Sequence, residues 1–308
     1  MPQPNQTDYP FVHQAVRDLA FLLKAPAPWA SSHNLPPGLL LGQDGEALLT
    51  RLDRAPQPLE AWLARNPVSR LGRYAERLLG FWFTQVAHIE LCAANQVLQD
   101  GNRTVGEFDF LLRIDGTPWH IETASKFYLQ LGTTLDTLVG PDLRDTWRLK
   151  AQKLERQLVL SRHPLAHLVI SEDFLDCRCA ALLTGWFFYR GTPLVLPPLS
   201  AAHYTGWLAN LDEPWPLSVP NSRWCCLPRL EWLSPALKSD TDVMRSETLR
   251  ERLTGLESPQ MVAEMQPGEP GWFEVARGFV MPSHWPGESV KRVLSSKKAA
   301  SRRQADTQ

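Results

Sequence analysis

The chain has 308 residues, 44% hydrophobic and 21% charged, an ordinary composition for a globular protein with a sizeable core. Its formal net charge of −1 excludes a uniformly basic nucleic-acid binder, and no apolar run approaches the roughly 18 residues of a membrane span. The polar, Pro-rich start from Met1 to Pro10 has no basic-then-apolar secretion signal, which points to a cytoplasmic protein.

The first expected helix covers residues 8–24, where Val12, Val16, Leu19 and Leu23 recur at helical spacing. Residues 25–68 are mixed, with short helical pieces at Glu46–Leu52 and Leu59–Arg65. A stronger helix starts at Ser69, a good N-cap residue, and carries Leu71, Ala75, Leu78 and Trp82 on one stripe. Only Pro118 and Pro141 of the 26 prolines fall between residues 70 and 160, so this stretch holds the most regular secondary structure. Three strands follow, Ile89–Gln99, Thr104–Ile114 and Thr117–Leu129. Asp100-Gly101 and Asp115-Gly116 join them, and Asp-Gly between apolar runs is a strong hairpin signal. After Gly140-Pro141 a long helix begins, with Asp142 as cap, Asp145 as its capping-box partner, and Leu143, Trp147, Ala151, Leu154 and Leu158 as its stripe. His167–Ser171 reads as a short apolar strand.

Beyond residue 172 the chain is richer in proline and aromatics. Ala180–Tyr189 is apolar, and Arg223–Leu233 and Glu274–Met281 read as strands. Seven of the twelve tryptophans lie in 186–285. The five cysteines include a C-x-C pair, Cys177 and Cys179, and the adjacent Cys225 and Cys226. Neither has ordinary zinc-ligand spacing, so they read as reduced thiols. The domain organisation expected is a helical N-terminus plus α/β core over 8–172, a β-rich portion over 173–286 that packs on the core or extends its sheet, and a basic disordered tail over 287–308. In 289–308 six Lys/Arg face Asp306 alone, a solvated terminus or a nonspecific phosphate contact.

The chemistry lies in the second hairpin. If Asp115 and Gly116 are its two loop residues, Ile114 faces Thr117 and Asp109 lies across from Glu122. Strand side chains alternate, so Glu107, Asp109, His120, Glu122 and Lys126 share one face. Phe108, Phe110, Leu112, Trp119, Ile121 and Phe127 form the other. Two like charges opposite each other on a sheet destabilise it by roughly 0.2–1 kcal/mol, and a divalent cation shared by Asp109 and Glu122 reverses that sign. Mg²⁺ (or Mn²⁺) suits one or two carboxylates with several waters and phosphate oxygens. A solvated polar face with a cross-strand ion pair is the plainer alternative. On the preceding helix Glu76, flanked by Gly72 and Gly80, is an outer ligand or a rim residue paired with Arg73 or Arg77. On the following helix Arg144, Arg148, Lys150, Lys153 and Arg156 are available to phosphates or serve solubility.

The order helix, three strands, helix, strand, with these acids, resembles the PD-(D/E)xK nuclease superfamily. More closely, LGRYAERLLGFW (71–82), GEFDFLLR (106–113), HIETASKFYL (120–129), GPDLRDTWRLK (140–150) and ARGFVMPSHWP (276–286) resemble bacterial domain-of-unknown-function family 1853. The resemblance implies an α/β fold, a restriction-endonuclease-like mixed sheet flanked by helices 69–84 and 142–160. It places the superfamily's second-strand acid on Asp109, its third-strand acid on Glu122 and its helix acid on Glu76. The lysine departs from the pattern. Two residues after Glu122 stands Ala124, and Lys126 lies about 7 Å farther along the same face at ordinary strand rise. Lys126 is the first substitute and Lys150 the second. The function implied is a Mg-dependent phosphodiesterase on DNA or RNA, with Asp109 and Glu122 on the metal, Lys126 assisting the water, Glu76 orienting it, and Arg148 and Lys150 on nucleic acid. The alternatives are a non-catalytic nucleic-acid-binding module on the same fold, and a protein-interaction scaffold using the Trp/Pro-rich 186–285 region.

Overall fold

The computed structural model describes residues 8–283. Two tight turns set its centre. Asp115 and Gly116 both take positive φ, 47° and 76°, as a type I′ turn requires. They join β2 (Arg103–Ile114) to β3 (Thr117–Gln130) in the expected register, with Ile114 opposite Thr117 and Phe110 opposite Ile121. β1 (Ile89–Asp100) pairs antiparallel with β2 through the turn at Gly101, φ 56°.

The helix expected before this meander is α4 (Leu71–Phe83), following α1 (Gln14–Lys24), α2 (Gly45–Arg54) and α3 (Gln57–Ala64). Its stripe is buried as spacing implies, but the capping position falls on Arg70 rather than Ser69 and makes no side-chain cap. α1 and α4 cover one face of the sheet through Phe21, Leu78, Trp82, Phe110, Leu112, Ile121 and Trp186.

α5 (Trp147–Leu158) covers the opposite face and begins later than expected. Its N-cap is Thr146, whose hydroxyl accepts from Leu149 N at 3.3 Å. Asp145 cannot serve a capping box, because its carboxylate accepts from Lys126 Nζ at 2.5 Å and Tyr128 Oη at 3.0 Å. Leu143, expected on the helical stripe, lies before the helix with φ 61°. Trp147, Leu154 and Leu158 do pack against Tyr128, Leu183 and Phe187.

His167–Ser171 forms no strand. A 3-10 turn spans Ala166–Leu168. Ala166 and Ile170 are buried together while Leu168 is 65% exposed, so the segment buries side chains at helical spacing rather than in alternation. The strand that follows α5 is β5 (Arg178–Tyr189), parallel to β3 from Trp119↔Arg178 to Leu129↔Phe188. Alternation is clear in β5: Trp186 and Phe188 face α1 and α4, and Phe187 and Tyr189 face α5.

The remaining strands are β4 (Leu138–Val139), β6 (Tyr204–Asn210), β7 (Arg223–Cys226), β8 (Leu237–Lys238), β9 (Gln260–Pro267) and β10 (Trp272–Met281), with α6 (Ser246–Arg252) between β8 and β9. They complete a mixed ten-stranded sheet whose main path runs β1-β2-β3-β5-β6-β10-β9-β7. The sheet therefore continues across residue 172 and into the β-rich portion. The strand expected over Arg223–Leu233 stops at Cys226, since Pro228 precedes a 3-10 turn at Arg229–Glu231. Trp186, Trp215, Trp224 and Trp232 are buried, and Trp207 and Trp272 half-buried, so the tryptophans of this region are core material first. Residues 284–308, including the expected basic tail, lie outside the described residues.

A buried ion pair fastens β10 to its neighbours. A register shift between Glu274 and Ala276 puts Glu274 and Arg277 on one side. The Arg277 guanidinium donates to both Glu274 oxygens at 2.5 and 2.7 Å, to Trp232 O at 2.5 Å and to Ser234 O at 2.7 Å. It also lies 4.1 Å from the Trp186 ring centroid.

Candidate functional site

The β2–β3 ladder stops at Phe110↔Ile121, so Asp109 and Glu122 are not the directly paired residues that the hairpin register implies. Beyond that point Asp109 replaces the missing ladder acceptor. Its Oδ2 accepts from Thr123 N at 2.8 Å and from Thr123 Oγ1 at 3.2 Å. The strand irregularity also moves Phe108, expected beside Phe110, into a cluster with Leu98, Leu111 and Leu160, edge-on to the His120 ring at 4.8 Å.

The splayed strands open a cavity of about 620 Å³ lined by residues of α4, β2, β3 and α5. It gathers Glu76, Glu107, Asp109 and Glu122, and with them Lys150, Lys153 and Arg156. Part of this face is closed to solvent: the His120 and Glu122 side chains are 0% and 1% exposed, while Glu107 and Lys126 remain about a third exposed. His120 Nε2 and Glu122 Oε1 are 2.8 Å apart. Burial opposes the imidazolium, but the Cys179 thiol and the Glu122 carboxylate outweigh it and push His120 up to about 9.

Electrostatics tie the acids together. Burial first, and the Glu122 charge second, push the Asp109 carboxyl up from 3.8 to about 7, against the pull of the Thr123 N–H and of Lys150. Burial likewise raises Glu76, which Arg73 holds at 2.7 Å. Glu76 is thus both things its sequence context allows, an arginine-paired residue and a wall of the acid pocket. Lys150 is shifted downward, by burial and then by Lys126, while Asp109 and Glu122 act on it in the opposite sense.

Of the two lysines read from the sequence, Lys150 lines the cavity and Lys126 does not. Lys126 is drawn to Asp145. Arg148 is directed elsewhere too, with Nε 3.0 Å from Asp136 Oδ1. Helical arithmetic explains the split: residue 148 is about 200° around the helix from 150, whereas Lys150, Lys153 and Gln157, at i, i+3 and i+7, share a face. That spacing was the available signal for Lys153 and Gln157. Arg73 and Thr123 carry no comparable sequence signal.

Asp109 gives the unliganded protein a definite pH dependence. Its carboxyl binds a proton more readily folded than unfolded, so the stability it contributes is complete below about pH 4 and is lost as pH rises through about 7. Asp109→Asn is expected to match the wild type near pH 4 and to exceed it by about 2–4 kcal/mol at pH 8, at about 1.4 kcal/mol per pH unit. Urea unfolding of both proteins from pH 4 to 8 checks this; a constant difference contradicts it.

The fold and the pocket define a mixed α/β protein whose central hairpin presents clustered carboxylates to a cavity that α5 supplies with a lysine. The chain belongs to the family described as Domain of unknown function (DUF1853), whose model matches residues 17–281. No curated protein and no solved structure matches it. Among the described residues no helix is long and apolar enough to cross a membrane.

Proposed function

We propose that the protein is a divalent-cation-dependent phosphodiesterase of the PD-(D/E)xK type acting on DNA or RNA. The observation that carries this reading is the convergence of Asp109, Glu122, Glu76 and Lys150 on one cavity, reached from both hairpin strands and both flanking helices. The helix–three-strand–helix–strand order, with β5 parallel to β3, supports it.

The donor set fits Mg²⁺ or Mn²⁺. Among the described residues no three His, Cys, Asp or Glu side chains form a ready ligand group, but Mg²⁺ ordinarily takes one or two carboxylates and keeps waters. Burial first and the Glu122 charge second raise the Asp109 carboxyl, and a cation shared by the two acids relieves the second of these. Held by Asp109 and Glu122, the cation would stabilise charge on the scissile phosphate and acidify a water. His120 fixes Glu122 through Oε1. Lys150, with its amine shifted downward, replaces Lys126 as the lysine that takes the water's proton or meets the phosphate charge. Lys153 and Arg156 line the same cavity and hold the flanking phosphates, in place of Arg148. Glu76 orients a water from the α4 side.

The test is cleavage of single- and double-stranded DNA and RNA with Mg²⁺ or Mn²⁺, comparing wild type with Asp109→Asn. Cation-dependent products that vanish in the variant support the reading. Ala124 at the usual lysine position favours the second reading, a non-catalytic nucleic-acid-binding module. That reading predicts salt-sensitive binding that ignores both the cation and Asp109→Asn.

A further inference from the structure

Behind the acid pocket lies chemistry that phosphodiester cleavage does not use. Cys177 and Cys179 bracket the start of β5, and their sulfurs are 4.0 Å apart. Both line a cavity of about 450 Å³, separate from the acid pocket, together with Arg162 and Arg178. Arg178 is stacked on Trp119, 5.4 Å from the ring centroid. Cys179 Sγ lies 3.7 Å from Ser161 Oγ and 3.6 Å from the Cys177 carbonyl. On its inner side is His120, whose buried Nδ1 has no hydrogen-bond partner. All five cysteines are free thiols.

We propose that Cys179 and Cys177 form a peroxide-reactive dithiol, with Cys179 the attacking thiol and Cys177 the resolving one. The Ser161 hydroxyl and the Cys177 thiol beside Cys179 are donors that favour a thiolate there. Consistent with that placement, Cys177 and then His120 hold the Cys179 thiol below its ordinary value, against burial, and the Cys177 thiol is held above its own. Exposed Cys92 is the natural comparison, since burial raises its thiol despite Arg113 nearby.

The chemistry closes with hydrogen peroxide as oxidant. The Cys179 thiolate attacks one peroxide oxygen; the S–O bond forms as the O–O bond breaks. Sulfur loses two electrons, and the departing oxygen takes a proton and leaves as water. The Cys177 sulfur then attacks the sulfenic sulfur of Cys179. The S–S bond forms, the S–O bond breaks, and the hydroxide leaves as water with the Cys177 proton. Cys177 lies just before β5 and outside its extended geometry, and the two sulfurs, 4.0 Å apart, have to close by about 2 Å to bond.

The experiment treats the full chain with one equivalent of hydrogen peroxide, then quenches, blocks free thiols and digests with trypsin. Cleavage after Arg178 separates the two cysteines, so a bond between them joins peptides 163–178 and 179–190. That linked species is expected to form at least about ten times faster than oxidation of Cys92. In Cys177→Ser the link is lost and Cys179 becomes trappable by dimedone; in Cys179→Ser neither product forms. Oxidation of Cys92 as fast as Cys179, or a Cys177→Ser protein without the Cys179 adduct, overturns the proposal.

Discussion

Lys150→Ala is expected to lower cation-dependent cleavage by about 10²–10⁴-fold, the usual contribution of a positioned proton-transfer group. The two candidate lysines go to different places. Lys150 lines the acid cavity and interacts with Asp109 and Glu122. Lys126 is turned to Asp145, which also takes the Tyr128 hydroxyl. Lys126→Ala should therefore slow cleavage by less than about tenfold. Its effect acts through loosening of the segment before α5, not through loss of a group at the phosphate. Single-turnover rates of the two variants, at equal cation and pH, measure the contrast. A larger loss in Lys126→Ala than in Lys150→Ala would return the lysine role to the strand.

Arg277→Met is expected to cost about 3–5 kcal/mol of folding stability, the range for breaking one side of a buried ion pair. Methionine fills much of the volume but leaves the Glu274 carboxylate with Ala236 N, at 2.8 Å, as its remaining donor. It also strips the Trp232 and Ser234 carbonyls of their guanidinium donors. Both residues of the pair are buried, 1% exposed for Arg277 and 7% for Glu274, so water cannot substitute. Replacing both, Arg277→Met with Glu274→Leu, should recover part of the loss, because no unpaired charge then remains. Urea denaturation of the single and double variants checks this. A single variant within about 1 kcal/mol of wild type would show that the pair merely fills space.

The central hairpin was legible because its determinants are local. Asp115-Gly116 fixes the turn, the turn fixes the register, and the register puts Leu111 opposite His120 as found. The stripes of α4 and α5 were legible for the same reason. What failed depended on partners distant in the chain. Asp145 looks like the capping-box partner of Asp142 until Lys126 and Tyr128 claim it. His167–Ser171 looks like a strand because a short apolar run has no period of its own, and its burial is decided by Leu98, Phe108 and Leu111. The hairpin register makes Asp109 a ladder residue opposite Glu122, but the ladder ends at Phe110 and the Asp109 carboxylate accepts the Thr123 N–H instead. Alternation thus groups the strand acids Glu107, Asp109 and Glu122, which line one cavity, although it misplaces Phe108. The choice between lysines turned on the angular position of Lys150 around α5, which counting residues along β3 does not touch.

The central claim is that Asp109 and Glu122 share a cation, and the direct measurement is calorimetric titration of the full chain with Mg²⁺ and Mn²⁺ at pH 7 in buffers of different ionisation enthalpy. One site is expected, tightening from pH 6 to 8. Proton release should accompany binding, because the Asp109 carboxyl is still partly protonated near its value of about 7. Asp109→Asn should abolish both the binding heat and the proton release. Absence of saturable binding in the wild type, or binding and proton release that persist in Asp109→Asn, would contradict the account.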